Sequence, residues 1–284
     1  MRNLIAAAAG AALLATILPA ATANADDPPR YKQYYSTFSR GAAKIPYLDT
    51  TPYVPQGLAY LPEQDAMVVS YYHDGGGNAR IAILDRKTSK QQKILALDDK
   101  GHAGTLAESK HYLWVSSTKG SDKQVIRYSK DAIAKAKNGS TIKNSGISHL
   151  KASSFMEISG GKLYVGTFNE KTEGTVYRYT LDAKEQPKYD GSSFKVPAKV
   201  QGMAITPKNF VWSRSFGRNN DSELTVDARQ GPVGKRIVAP NMSEDLAIAK
   251  GELYVVYESG AKKYHDADYK VRTVHHGPVA ELGG

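Results

Sequence analysis

Five segments of the chain repeat one order of apolar and polar positions. Each begins with a short strand centred on Leu or Met, followed by a turn, a longer apolar strand, a polar hairpin and a third strand near an aspartate. Successive repeats begin about 43–51 residues apart, which is the period of a four-stranded propeller blade. In the last four repeats, the longer strand starts at the same distance after the central residue. The central residues are Leu58, Leu106, Met156, Met203 and Leu246.

The predicted strands are rich in Val, Ile, Tyr, Trp and Thr, and turn residues separate them. The longer strands are apolar at consecutive positions, as in sheets that are covered on both faces. We therefore expect an all-β fold, a β-propeller of five four-stranded blades, with a sixth, degenerate blade as the alternative. Lys93–Leu97 and Arg236–Ala239 are the clearest fourth strands, and Asp131–Lys137 is predicted to be helical.

A ring of blades needs a strand that closes it, because closure removes exposed sheet edges. Either Ile45–Leu48 or Val271–Val274 would supply that strand, and Lys263–Asp266 is predicted as the third strand of the fifth repeat. The predicted organisation is a signal peptide over residues 1–25, an N-terminal extension over residues 26–53 and the propeller over residues 54–284.

The first residues have the features of an export signal. Met1–Asn3 is basic, Leu4–Leu18 is apolar, and Ala23–Ala25 offers the small residues that a signal peptidase needs. The apolar run is short for a membrane span, and no later stretch is longer. We therefore expect a secreted, extracellular protein without a membrane span. The chain has no cysteine, so disulfides and thiolate chemistry are not available to it.

The formal net charge is +10, and the basic residues are scattered rather than massed in one block. Such a surface is either simply well solvated or attracted to an anionic polymer. No motif of a nucleic-acid-binding domain accompanies the charge, so we expect no specific nucleic acid. The expected partner is an extracellular protein or an anionic cell-wall polymer, and the chain itself is expected to be a monomer.

Four phrases carry a resemblance to a known family. They are Val54–Tyr60, Val200–Thr206, Ser213–Asn220 and Leu253–Ala261. In these phrases the chain resembles secreted actinobacterial propeller proteins and is similar to factor C-type extracellular proteins. The resemblance covers the chain from about residue 54 to its end, and it implies secretion, the propeller fold and a role in signalling. It implies no functional residue, because that family has no agreed catalytic motif.

Polar side chains converge on the predicted central channel, which the first strand of each blade lines. In the third repeat, Glu157 stands where the other repeats have alanine, so this carboxyl has to find a basic partner or reach channel water. Such groups can bind a cation such as calcium or a small polar ligand, or they simply bond to waters and backbone. Aligning the repeats places Gln56, Gly104, Ser154, Gln201 and Glu244 in one ring, with Asp245 in the next.

A second group of candidates lies in the hairpin of the fourth repeat. Arg214, Arg218 and Asn219 could bind an anion, since arginine forks match carboxylates and phosphates, or the segment could be turn chemistry alone. His102 precedes the second inner strand and could lie at the channel mouth, although a surface or loop position is the simpler expectation.

The sequence lacks the familiar catalytic signatures. It has no GxSxG elbow, no HExxH, no P-loop and no GxGxxG that opens a helix. We therefore expect a secreted, non-catalytic binding or extracellular signalling protein. The alternative is a calcium-dependent hydrolase of the lactonase type with its site in the central channel, and a weaker possibility is a structural protein held to the cell wall by charge. Fold alone does not decide between them.

Overall fold

Five sheets surround a central channel in the computed structural model, which describes residues 27–229 and 233–283. Their strands pair antiparallel, except that Thr141–Ile142 adds a parallel strand to the outer edge of the first sheet. The innermost strand of each sheet contacts the innermost strand of the next, and the fifth contacts the first, so the ring is closed. This is the predicted all-β propeller, with five blades rather than six. The predicted signal peptide lies outside the described residues.

The strands follow the repeats along the chain. The N-terminal segment contains helix α1 (Lys32–Thr37) and strand β1 (Ser39–Arg40). Blade one is β2 (Tyr53–Leu61), β3 (Ala66–His73), β4 (Arg80–Asp85) and β5 (Gln91–Leu97). Blade two is β6 (Leu106–Glu108), β7 (Tyr112–Lys119), β8 (Asp122–Ser129) and β10 (Gly146–His149). Between β8 and β10, the chain forms helix α2 (Lys130–Lys135) and strand β9 (Thr141–Ile142).

The remaining blades have the same order of strands. Blade three is β11 (Phe155–Ser159), β12 (Lys162–Gly166), β13 (Gly174–Leu181) and β14 (Pro187–Val196). Blade four is β15 (Val200–Ile205), β16 (Asn209–Arg214), β17 (Ser222–Ala228) and β18 (Val233–Ala239). Blade five is β19 (Ser243–Ala249), β20 (Glu252–Tyr257) and β21 (His275–Pro278), completed by β1.

The ring is closed by the N-terminal segment, but not by the strand that the sequence predicted. Strand β1 pairs antiparallel with β21 and so becomes the outermost strand of blade five. Ile45–Leu48 and Val271–Val274 belong to no strand, although the backbone N–H of Ile45 donates to Arg272 at 3.0 Å. Their apolar residues are buried in the core, and this burial explains why the pattern resembled a strand. Lys263–Asp266 is also not a strand, because Lys262–Tyr264 forms a 3-10 helix.

Glycines let the innermost strands come close to one another around the channel. A Cβ on Gly57 would lie 2.8 Å from the backbone nitrogen of Leu106 in blade two. A Cβ on Gly202 would lie 2.6 Å from the Cα of Asp245 in blade five. Both positions therefore exclude any larger side chain without displacement of a backbone. Among the described residues, no helix is long and apolar enough to cross a bilayer.

Candidate active site in the central channel

The five residues of the predicted ring line one cavity. Gln56, Gly104, Ser154, Gln201 and Glu244 all border a space of about 380 Å³ at the end of the channel where the innermost strands begin. The register of the repeats therefore brings together side chains from all five blades. Five further residues complete the lining: His102, Ser116, Thr118, Ser153 and Phe168.

Two carboxyl groups meet beside this cavity. Glu244 on β19 is 3% exposed, and its carboxyl lies within hydrogen-bonding reach of that of Glu258, a half-buried residue that follows β20. Gln201 Nε2 lies 3.3 Å from Glu244 Oε1, and Gln56 Nε2 donates to Glu258 Oε2 at 2.8 Å. A hydrogen bond between two carboxyls requires that one of them carries the proton. We refer to Glu244 and Glu258 as the acid pair.

The surroundings keep a proton on the acid pair. Burial raises the pKa of Glu258 to about 7, although hydrogen bonds from Tyr264 and Gln56 and the charge of Lys263 oppose the rise. Burial raises the pKa of Glu244 as well, and the neighbouring charges of Glu258 and Asp245 act in the same direction. The pair therefore keeps a proton to higher pH than ordinary carboxyls do, and its singly protonated state can act as acid and base together.

The sequence did not single out Glu258. It lies five residues after the start of the second apolar run of the fifth repeat, and the equivalent positions in repeats two and three are Thr118 and Phe168. Both of those residues line the cavity. Aligning the ends of the second strands, as well as the first strands, would therefore have pointed to Glu258.

His102 lies at the cavity, as the channel-mouth alternative predicted. Its ring stacks on Tyr72 with 4.5 Å between ring centroids, and the side chain remains exposed. Lys263 Nζ donates to the Tyr72 hydroxyl at 3.0 Å and lies 2.6 Å from Asp74 Oδ1. The imidazole of His102 and the ammonium group of Lys263 therefore both lie at the mouth of the channel, where blade one meets the fifth repeat.

Asp245 lies one layer deeper and joins three blades. Its Oδ2 accepts hydrogen bonds from the backbone N–H groups of Leu58 and Leu106 and from the hydroxyl of Thr105, each at 2.9 Å. Burial raises the pKa of Asp245 to about 7, against the effect of these donors. Since its Oδ2 is fully engaged with the innermost strands of blades one and two, we assign Asp245 to holding the ring together rather than to binding a ligand.

Glu157 is in the channel, but it does not join the acid pair. It lines a different cavity of about 210 Å³, together with Glu108 and Ser159, while Glu244 lines the first one. Its Oε1 accepts from the backbone N–H of Ile158 at 2.8 Å, and no lysine or arginine of the described chain pairs with it. Burial raises its pKa to about 8, and the charges of Asp245 and Glu108 add to the rise. Glu157 and Glu244 therefore line different cavities, at different ends of the channel.

The arginines of the fourth hairpin are occupied by carboxylates. Arg214 Nη1 pairs with Glu223 at 2.9 Å, and Arg218 Nη1 pairs with Asp266 at 2.8 Å. Asn219 is exposed beside them. The structure does not bring these three side chains together around an open space, so an anion site here stays a prediction that the contacts do not support.

Metal ligands are not clustered in the part of the chain that the structure describes. No group of three or more histidine, aspartate and glutamate side chains there is arranged to hold a metal ion. The acid pair supplies two carboxyls, and Asp245 is engaged with the neighbouring strands. Calcium in the channel therefore stays a prediction that this set of carboxyls does not fit.

Comparison with known proteins supports the propeller fold, but it does not show to which family the chain belongs. No family model and no curated protein matches the chain, so the resemblance to factor C-type proteins stays a prediction. Among solved structures, the glutaminyl cyclase of Myxococcus xanthus aligns with a TM-score of 0.55 and 13% identity over 84% of this chain and 97% of that one. A GH43_1 enzyme from Xanthomonas citri aligns at 0.53 and 11%, over 84% and 90% of the two chains. The RS223 β-xylosidase aligns at 0.51 and 11%, over 81% and 92%. At such identities, the likeness shows a shared propeller fold.

The prediction of a non-catalytic binding or signalling protein has to be corrected. It depended on the absence of familiar catalytic motifs, yet the three similar structures are described as enzymes. The missing motifs belong to other folds, so their absence from a propeller is not evidence against catalysis.

Proposed function

We propose that this chain is a hydrolase whose acid and base are the carboxyls of Glu244 and Glu258. The observation that carries the proposal is the acid pair itself, a buried and a half-buried carboxyl within hydrogen-bonding reach of each other beside a cavity lined by all five blades. A buried pair of this kind is costly for stability unless a proton stays on it, and groups with strongly shifted pKa values concentrate at functional sites.

The pair can move protons in both directions during hydrolysis. The ionised carboxyl takes a proton from a water molecule as that water attacks the substrate, and the protonated carboxyl gives its proton to the leaving oxygen. The two transfers conserve the charge of the pair, because one proton is gained as the other is lost. Gln56 and Gln201 hold the carboxyls in place through their amide donors.

The lining of the cavity suggests an uncharged substrate. Apart from the acid pair, its polar groups are mostly hydroxyls and amides, including Ser116, Ser154 and Thr118. Such groups recognise ester, lactone or sugar oxygens rather than a strong charge. This agrees with the lactonase-type alternative in substrate class, and the proposal derives no step through calcium.

The test is hydrolysis by the purified full chain of p-nitrophenyl acetate, a γ-lactone and p-nitrophenyl β-xyloside, with a peptide that begins with glutamine as a fourth substrate. We expect turnover of at least one ester or lactone, and E258Q should lower kcat/KM about 100-fold or more, the usual contribution of a general acid or base. The matched control is E173Q, which changes in the same way an exposed glutamate that lines neither channel cavity.

The outcomes separate the alternatives. Equal activity of E258Q and E173Q would remove the acid pair from the mechanism. Turnover of the glutamine peptide alone would indicate a cyclase rather than a hydrolase. Loss of activity on chelation, with recovery on adding calcium, would restore the metal-dependent reaction. Export, a monomeric state and an extracellular partner stay predictions beside this proposal.

A further inference from the structure

A groove on the outer side of blades three and four is larger than the channel cavity. Its volume is about 840 Å³, and it lies between β12–β14 of one blade and β16–β17 of the next. Neither the repeat pattern nor the acid pair explains it. Its lining combines aromatic rings with basic side chains.

Aromatic rings form the inner wall of the groove. Phe194 on β14 stacks on Phe210 on β16 with 5.2 Å between ring centroids, so the contact crosses from blade three to blade four. Trp212 packs against Phe210 at 5.3 Å. Phe194 and Phe210 are only half-buried. Their open faces offer apolar surface on which a flat ligand or the C–H face of a sugar ring can stack.

Three cations at the rim lack an acidic partner. Lys195, Lys208 and Arg229 are exposed and line the groove, and none forms an ion pair with a carboxylate of the described chain. The guanidinium of Arg229 lies 5.5 Å from the ring centroid of Phe210. By contrast, Arg178 in the same lining is paired with Asp190 at 2.5 Å. The groove therefore carries a local excess of positive charge beside its rings.

One carboxylate in the lining discriminates between anionic ligands. Asp227 Oδ2 accepts from Trp212 Nε1 at 2.9 Å, and its Oδ1 has no hydrogen-bond partner within the described residues. Oδ1 is buried, so it is not open to a ligand hydroxyl, but the carboxylate places a negative charge in the wall of the groove that would repel a closely spaced phosphate backbone.

We propose that this groove binds an acidic polysaccharide, with sugar rings stacked on Phe194 and Phe210 and sugar carboxylates paired with Lys208 and Arg229. The combination of a stacking surface with unpaired cations matches the chemistry of a uronate polymer. This inference is independent of the proposed hydrolase, since no residue of the groove belongs to the channel.

The test is binding of the purified full chain to immobilised polygalacturonate, with dextran as the uncharged polymer and a single-stranded oligothymidylate as the nucleic acid. The double variant K208Q/R229Q should weaken binding to polygalacturonate at least tenfold. The matched control, K87Q/K90Q, removes two exposed lysines from blade one and should change it less than twofold. E258Q should bind as the wild type does.

Added salt and an aromatic variant separate the two contributions. Raising salt from 50 to 200 mM should weaken the wild type more than K208Q/R229Q, because fewer ion pairs remain to be screened. F194A should weaken binding at both salt concentrations. Three results would overturn the proposal. The first two are that the chain does not bind polygalacturonate, or that K87Q/K90Q weakens that binding as much as K208Q/R229Q does. The third is that the chain binds the oligothymidylate more tightly than polygalacturonate, with K208Q/R229Q abolishing that binding.

Discussion

Replacing Glu157 by glutamine should make the protein more stable in alkali while changing it little in acid. Burial raises the pKa of Glu157 from 4.5 to about 8, so the folded protein holds a proton there that the unfolded chain releases. The stability that this proton provides is fully present below pH 4.5 and is lost as the pH rises towards 8. Glutamine has the shape of the protonated acid, and its Oε1 can still accept from the backbone N–H of Ile158.

The size of the effect follows from the shift in pKa. Each pKa unit corresponds to about 1.4 kcal/mol, so the wild type should lose at most about 4 kcal/mol between pH 5 and pH 9 through this group. A chain of this size changes its Tm by about 2–4 °C for each kcal/mol. The Tm of E157Q relative to the wild type should therefore rise by about 10 °C between those pH values.

The assay is thermal unfolding of both proteins, followed by circular dichroism at pH 5, 7 and 9. Other groups also titrate in this range. Burial lowers the pKa of His275 to about 3, which removes stability as the pH falls below 6.5. That contribution is common to both proteins and cancels when the wild type is subtracted from the variant.

Two results would refute the reasoning. If the difference in Tm between E157Q and the wild type is the same at pH 5 and pH 9, Glu157 is ionised in the folded protein throughout. If E157Q is less stable at every pH, the carboxylate has a partner that glutamine cannot replace. E173Q, on the surface, is the control and should match the wild type at each pH.

Three further predictions concern the ring and its closure, and thermal unfolding measures all of them. Asp245→Ala should lower the free energy of unfolding by about 3 kcal/mol or more and the Tm by about 10 °C, because it leaves two buried backbone N–H groups without an acceptor. An unchanged Tm would mean that water replaces the carboxylate. Gly202→Ala should destabilise by about 2 kcal/mol or more, since its Cβ would lie 2.6 Å from a backbone atom, whereas Gly104→Ala, where the nearest atom belongs to an exposed side chain at 3.1 Å, should cost less. Tyr34→Phe removes the hydroxyl that lies 2.9 Å from His275 Nδ1 and accepts from the Tyr257 hydroxyl at 2.7 Å. It should lower the free energy of unfolding by about 1–3 kcal/mol, and an unchanged Tm would mean that neither contact stabilises the fold in solution.

The fold could be predicted from the sequence because a propeller repeats its signal. Five copies of one apolar pattern fix the strand order and the register within each blade, and so they also fix which residues face the channel. The ring from Gln56 to Glu244 followed from that register alone. The closing strand could not be found in the same way, since β1 has only two residues and carries no apolar pattern. The segments that did carry one, Ile45–Leu48 and Val271–Val274, use it to fill the core.

The candidate site was only half predictable, for a physical reason. Glu244 lies on an innermost strand, where the repeat specifies its direction, whereas Glu258 lies just beyond the end of β20, where the fifth repeat departs from the others. In that repeat, the chain runs through a 3-10 helix instead of a hairpin before it returns as β21. This departure brings Tyr264 and Lys263 to the mouth of the channel, where both lower the pKa of Glu258.

The fifth blade has two roles, a structural one at Asp245 and the proposed catalytic one at Glu244. Glu244 and Asp245 lie where the register between β19 and β20 shifts, and their carboxyls have different partners. Asp245 bonds to the backbones of blades one and two, and its substitution should act on stability. Glu244 meets Glu258 at the cavity, and a substitution there should act on turnover. If E258Q reduces turnover at an unchanged Tm while Asp245→Ala lowers the Tm, the channel contains a structural layer and a chemical layer that can be changed independently. If both variants lose stability together, the acid pair belongs to the ring as Asp245 does, and the chemistry has to be sought elsewhere on the molecule.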